Sequence, residues 1–206
     1  PLDLLRNPVF ALSICASICA FGAYMLTFIS LPFHFENALG RSVIETGLLM
    51  TPWPLALGVT APIAGRLSDR VSAAALGCAG MLLLALGLML LALLPADASN
   101  ADIAWRMALG GIGFGLFQSP NNRTMLSAAP RERAGAAGGM LATARLIGMT
   151  SGAALAAIMF SVRGERATPV NLTIGVALAL AAAVASMSRR RKHAAPDVAA
   201  RVSAGP

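Results

Sequence analysis

Residues 114–139 read FGLFQSPNNRTMLSAAPRERAGAAGG, and this stretch sets polar groups inside an otherwise oily run. Gln118, Asn121, Asn122 and Arg123 follow a glycine-rich apolar segment that begins near Ile103. In hydrocarbon an unsatisfied polar group is expensive, so amide and ionisable side chains within a span face a bundle interior or a watery cavity. The helix is therefore expected to line something, with Gln118, Asn121 and Asn122 as candidate cavity residues. Arg123 lies close enough to the end of its span to reach the interface.

The surrounding composition agrees with a membrane setting. Hydrophobic residues make up 57% of the 206 and charged residues only 12%, which excludes an ordinary soluble domain. A chain of this length holds about six helices of roughly 20 to 25 residues, giving an all-α integral membrane protein. It begins at Pro1 rather than Met and is expected to be a piece of a longer protein. The net charge of +7 would suggest nucleic acid in a soluble chain, but here the bases sit at the ends of apolar runs and report orientation instead. Cys15, Cys19 and Cys78 lie within apolar runs and read as small packing residues, not as metal ligands or a disulfide framework. No metal and no cofactor is expected.

Working outward, the hydrophobic runs place spans at about 9–33, 47–64, 73–94, 103–128, 134–160 and 169–187, after a lead-in of 1–8 and before a tail of 188–206. The tail is basic at first (SRRRK, 188–192), then rich in alanine and proline, and is expected to be disordered. In the first span Phe21, Tyr24, Met25 and Phe28 recur at spacings of three and four, which puts them on one helical face. Such a stripe is either packing or the wall of a cavity for hydrophobic compounds. Residues 34–46 read as a polar loop. The second span contains Pro52, Pro54 and Pro62, each removing a backbone donor. Spans three and six are plain and apolar, as lipid-facing helices should be.

Arg145 is the sharpest polar signal. It lies about 11 residues into its span, or roughly 16 Å at about 1.5 Å per residue, near the middle of a core about 30 Å thick. An arginine there needs a partner: a carboxylate from elsewhere, a helix carbonyl or a bound substrate. Glycines four apart, Gly111 and Gly115, Gly135 and Gly139, Gly148 and Gly152, are candidates for close helix packing. Gly138, Gly148 and Gly152 share a face with Arg145.

Counting bases at span ends puts both termini in the cytoplasm, because Lys and Arg are retained there. One set of ends carries Arg6, Arg66, Arg70, Arg131, Arg133 and the run 189–192; the other carries Arg41, Arg163 and Arg166. The chain also divides into two groups of three spans. Spans one and four carry aromatic or polar faces, spans two and five carry prolines or an arginine, and spans three and six are plain. Three being odd, the copies would lie in opposite orientations, a 3+3 inverted repeat.

These residues carry a family resemblance. GRLSDR at 65–70, FQSPNNR at 117–123, APRERAGAAGG at 129–139 and ATARLIG at 142–148, set on six spans, resemble the C-terminal half of a major facilitator superfamily transporter. The fourteen-helix drug/proton antiporter branch, of the EmrB/QacA type, is the best match, over roughly Leu4 to Met187. The resemblance implies one half of a major facilitator fold, alternating access around a central site, and a proton gradient as the energy source. It also implies an N-terminal half of the same transporter as partner, the lipid bilayer as surroundings, a small hydrophobic substrate, no nucleic acid, and residence in the inner or plasma membrane. In the family the GRLSDR loop is a cytoplasmic gating motif, which makes Gly65, Arg66, Asp69 and Arg70 a candidate conformational gate. Asp69 is then expected at the positive end of the third helix. Here the motif is degraded, with Ser72 for a glycine and Ala73 to Ala75 for bases, so ordinary positive-inside charge remains an equal reading of the loop.

Two functional classes follow. The first is a transporter domain, exporting hydrophobic or amphipathic compounds by proton antiport as the resemblance implies. The alternative is a non-transporting scaffold or a truncated fragment, with a membrane-embedded enzyme behind both. The histidines lie in a loop (His34) and the tail (His193), and no span holds a mid-membrane acid or a Ser-His pair, so convergent catalytic groups are lacking.

Overall fold

The structure, a computed structural model, describes residues 2–203, with the side chains of Leu2, Glu165 and 190–203 left aside. The basic and acidic tail side chains from Arg190 to Asp197, and residues 204–206, thus lie outside the described residues. Every described element is helical.

The first helix, α1 (Pro8–Phe33), starts where Asn7 caps it: the Asn7 Oδ1 accepts from Val9 N at 3.0 Å and Phe10 N at 3.5 Å, and Pro8 stands at a position where its missing N–H costs nothing. Pro32 removes one backbone donor from the last turns, and the chain continues as a π-helical turn, His34–Ala38. Residues 34–46 are therefore not a simple loop. Ser42 and Glu45 form a reciprocal capping box that opens α2 (Val43–Met50), leaving only 39–42 as connection. Thr51 and Pro52 break that helix from α3 (Pro52–Leu67). Ser72 caps α4 (Ala73–Ala92), its Oγ accepting from Ala75 N, and Ser99 does the same for α5 (Asn100–Ser127) through Asp102 N. The helix α6 (Ala134–Arg163) stops at Gly164, whose φ of 55° only glycine adopts without strain.

Finally α7 (Ala167–Ser203) runs through the basic residues 188–192 and on through 193–203, the part of the tail expected to be disordered. Alanine has the highest helix propensity, and the helix continues past the end of the apolar run even though Pro196 removes one backbone donor from it.

The five largest interfaces pair α1 with α7 and α6, α5 with α4 and α3, and α4 with α7. Exchanging α1 with α5, α3 with α6 and α4 with α7 turns this set into itself. That invariance is the packing counterpart of the inverted repeat, and it matches the two groups of three read from the sequence. One end of the bundle gathers Asp3 with Arg133, Asn7 with Ala128 and Asp69 with Arg123; the other gathers Arg41 with Ala98 and Ser30 with Thr168. The alternating direction of six spans follows.

Among the described residues five helical segments are long and apolar enough to cross a membrane. The sixth helix, α5, is 28 residues long but more polar, and it can afford that because α1, α3 and α4 surround it. Within their most apolar stretches only 22% of α2–α3 and 17% of α6 are buried, against 56%, 56% and 44% in α1, α4 and α7. So α2–α3 and α6 leave the widest faces uncovered. Spans three and six do present lipid-like stripes, such as Leu82, Leu86 and Met89 on α4. Span six is nevertheless not plain: Asn171, Ser186 and Arg189 are buried on its inner side.

Candidate functional site

Three helices bring five rings into one wall. From α1, Tyr24 stacks on Phe28 at 4.3 Å between centroids; Phe21 meets Phe114 of α5 edge-on at 5.2 Å; and Trp53 of α3 meets Phe28 edge-on at 5.5 Å. Tyr24 joins both ends, 5.4 Å from Phe114 and 6.2 Å from Trp53. Such offset and edge-to-face arrangements each add to the burial energy. The stripe read from the sequence is thus half a wall, and Trp53 and Phe114 complete it. Trp53 is fully buried because Gly110 and Gly111 vacate the surface of α5. A Cβ on Gly110 would stand 2.3 Å from the indole, and one on Gly111 would stand 2.3 Å from the Trp53 carbonyl oxygen. The paired glycines were the signal for this aromatic. Met25 lies beside the wall, its Cβ 3.1 Å from where a Cβ on Gly152 would be.

Arg145 reaches this wall from α6, its guanidinium carbon 5.3 Å above the centre of the Phe21 ring. A guanidinium over an aromatic face is held by the ring quadrupole. Its Nε is buried and has no hydrogen-bond partner. Among the partners expected for it, neither a carboxylate nor a helix carbonyl bonds that atom.

Asn121 does not line the opening. It is 1% exposed and sits in a polar knot between α1, α5 and α7. Its Nδ2 donates to Ser17 Oγ at 2.8 Å and Ser13 O at 3.3 Å, and its Oδ1 accepts from Arg189 Nη1 at 2.6 Å. Arg189, 2% exposed, also donates to Ser13 Oγ at 2.8 Å and Ser186 Oγ at 2.9 Å. The cost of a polar group in hydrocarbon is here met by partners and not by water, which corrects the cavity reading of Asn121. Arg189 had been counted only as one base in a terminal run. Gln118 and Asn122 flank the knot, half-buried.

At the end of the bundle, Asp69 pairs with Arg123 at 2.5 Å, and Arg123 also donates to Ser68 Oγ at 3.1 Å. Ser72, not Asp69, caps α4, so the expected contact of Asp69 with that helix end is replaced by a bridge from the α3–α4 turn to α5. Gly65 lets α3 approach α5, where a Cβ would stand 3.1 Å from Ser119 Oγ. Arg66 and Arg70 are exposed.

The packing glycines divide. A Cβ on Gly148 or Gly152 would lie 2.5 Å from the carbonyl oxygen of Ile18 or Gly22, and one on Gly115 would lie 3.0 Å from Thr60. Gly135 and Gly139 have nothing within 4 Å, and neither has Gly138. These last correct the expectation of contact at Gly135 and Gly139: they lie on a face of α6 turned away from its neighbours, while Ala137 of the same turns is buried with Leu4 and Phe10. Among the described residues no group of three His, Cys, Asp or Glu could hold a metal ion, and the free cysteines Cys15, Cys19 and Cys78 are unpaired with one another.

Comparison with known proteins places this geometry. Residues 3–204 match the Major Facilitator Superfamily. The chain is 55% identical over 186 residues, 90% of its length, to the uncharacterized transporter YebQ of Escherichia coli. It is 31% identical over 160 residues (78% of the chain) to the riboflavin transporter RibZ of Clostridioides difficile, and 33% identical over 156 residues (75%) to the multidrug resistance protein Stp of Mycobacterium tuberculosis. It spans 41%, 35% and 28% of the lengths of these relatives. A match along nearly the whole chain, resting on six helices that pack as an inverted repeat, makes this chain a member of the major facilitator superfamily, a family of membrane transporters and not of enzymes.

Proposed function

We propose that the chain is the C-terminal six-helix half of a secondary transporter that exports hydrophobic or amphipathic compounds by alternating access in exchange for protons. The observation that carries this reading is the half-buried pair Tyr24 and Phe28 with Arg145 nearby at mid-span, apolar rings and a cation held in place by the buried Phe21, Trp53 and Phe114. The names of its relatives, a multidrug resistance protein among them, support the same class of work.

In this reading an N-terminal half covers the open faces of α2–α3 and α6 and supplies the coupling acid. Among the described residues the membrane-crossing helices hold acids only near their ends, Glu36, Glu45, Asp102 and Glu132, and Glu45 and Asp102 are engaged by capping serines. Guanidinium groups cannot take their place, because they stay protonated. The Asp69–Arg123 bridge acts as a lock at the cytoplasmic end that must open in the other conformation, and both termini lie in the cytoplasm of a cell whose inner membrane holds the protein.

Liposomes with an imposed pH gradient and a fluorescent drug test the proposal. The chain alone should give no gradient-dependent flux, whereas the chain joined to its N-terminal half should give saturable flux. Proton-driven flux from the chain alone would overturn the assignment of coupling to the other half. A complete transporter that moves no amphipathic compound under any gradient would overturn the transport reading itself.

A further inference from the structure

Arg145 is a cation at mid-span beside an aromatic wall, with one buried N–H left open. Arg106 and Arg189 share the open Nε, but both are engaged through their terminal nitrogens, and among the described residues Arg145 has no such bond. Arg106 donates to Leu90 O at 2.7 Å and lies over the Trp105 ring, and Arg189 is enclosed by Asn121, Ser13 and Ser186. Among the acids of the membrane-crossing helices, Glu45 and Asp102 sit in first turns bonded to Ser42 and Ser99, and Glu36 and Glu132 also lie near helix ends. The local charge at the wall is therefore positive and uncompensated by this chain.

We infer that Arg145 with the half-buried rings of Tyr24 and Phe28 forms a subsite for an aromatic amphiphile whose head is an anion, a carboxylate or sulfonate. The inference rests on the transporter reading and narrows its substrate class. A planar anion fits the planar fork of a guanidinium and takes an open N–H as a charge-assisted bond, while the apolar body stacks on Tyr24 and Phe28. A cation of the same shape would meet a like charge at low dielectric, where repulsion is far stronger than in water. The ring contact with Phe21 can stay in place throughout, because it uses the face of the guanidinium and the anion uses its edge.

The chain has two tryptophans, and Trp53 stands in the wall itself. In a Trp105→Phe background, in lipid nanodiscs, energy transfer from Trp53 to pyrene then reports binding. The probes are pyrenebutyrate and pyrenebutyl-trimethylammonium, which share a ring system and differ in head charge. The anionic probe should bind saturably and about tenfold more tightly than the cationic one, a factor that corresponds to about 1.4 kcal/mol. Arg145→Gln should erase the difference, and Arg145→Lys should keep most of it. Equal binding of the two probes, or a preference that survives Arg145→Gln, would overturn the inference. If Arg145→Gln does not fold, judged by circular dichroism, the Arg145→Lys protein and the salt dependence of the two probes decide the matter, since a preference insensitive to both would also overturn it. The complete transporter separates the two readings. Transport with no preference for head charge, as when an acid of the other half already occupies Arg145, defeats the subsite alone. A retained preference without any transport defeats the transport reading alone.

Discussion

Replacing Asn121 with leucine removes the acceptor of a buried cation while keeping the same number of side-chain heavy atoms in a similarly branched shape. Arg189 is 2% exposed, and Asn121 Oδ1 is its shortest contact at 2.6 Å. A hydrogen bond to a charged group contributes about 1.5–3 kcal/mol, and removing one partner of a fully buried charge pair costs about 3–5 kcal/mol. Arg189 keeps Ser13 and Ser186, and neutral bonds such as Asn121 to Ser17 are worth only about 0.6 kcal/mol in membrane bundles. The expected loss is therefore about 2–3 kcal/mol. Arg189→Met removes the cation and should cost about 1 kcal/mol, because the remaining groups are neutral and still bonded to one another. The double variant should be no worse than Arg189→Met alone. Reversible unfolding in mixed dodecyl sulfate and maltoside micelles, followed by circular dichroism, measures all three. Losses that simply add to within about 0.5 kcal/mol would refute the idea that Asn121 is there to serve Arg189.

Three further outcomes are expected. Gly113→Ala should destabilise by about 1–3 kcal/mol, since its Cβ would stand 2.5 Å from Leu84 N and 2.7 Å from Gly80 O. Gly139→Ala, in open space, should instead stabilise by up to about 1 kcal/mol through helix propensity, and thermal unfolding distinguishes the two. Asp69→Asn breaks an ion pair whose side chains are each 59% exposed, so it should change stability by less than about 1 kcal/mol while altering the transport rate of the complete protein; unchanged transport would leave the bridge without a gating role. Ala96→Cys, in a background without Cys15, Cys19 and Cys78, should react with an impermeant maleimide added outside; reaction only from the cytoplasmic side would reverse the topology.

Most of the fold was legible because lipid leaves the backbone few choices. Long apolar runs become helices, and helix starts at Pro8, Ala73 and Ala134 fell at or beside the expected boundaries. The site was harder to read for a physical reason. A polar side chain within a span has two escapes from hydrocarbon, water or a partner, and a single sequence does not say which. Arg145 and Asn121 gave the same signal, yet one faces an aromatic wall and the other is sealed against Arg189, 68 positions away. The Ser42–Glu45 capping box was open to view and would have shortened the predicted loop. The fate of Trp53 depends on two glycines in another helix, a relation that local periodicity does not carry.

The glycine contacts also set the mechanics of the bundle. Where α6 meets α1, Gly148 and Gly152 rest on the backbone at Ile18 and Gly22, so that stretch of the seam is smooth, like a bearing without teeth. A small axial slip there need not lift one side chain over another. Between α3 and α5 the reverse holds, for the Trp53 indole sits in the slot over Gly110 and Gly111 as a key sits in a keyway. Sliding α3 along α5 requires that key to be withdrawn first. The bundle thus has one seam where backbones touch directly and one seam keyed by an indole, and sliding along the two meets different obstacles.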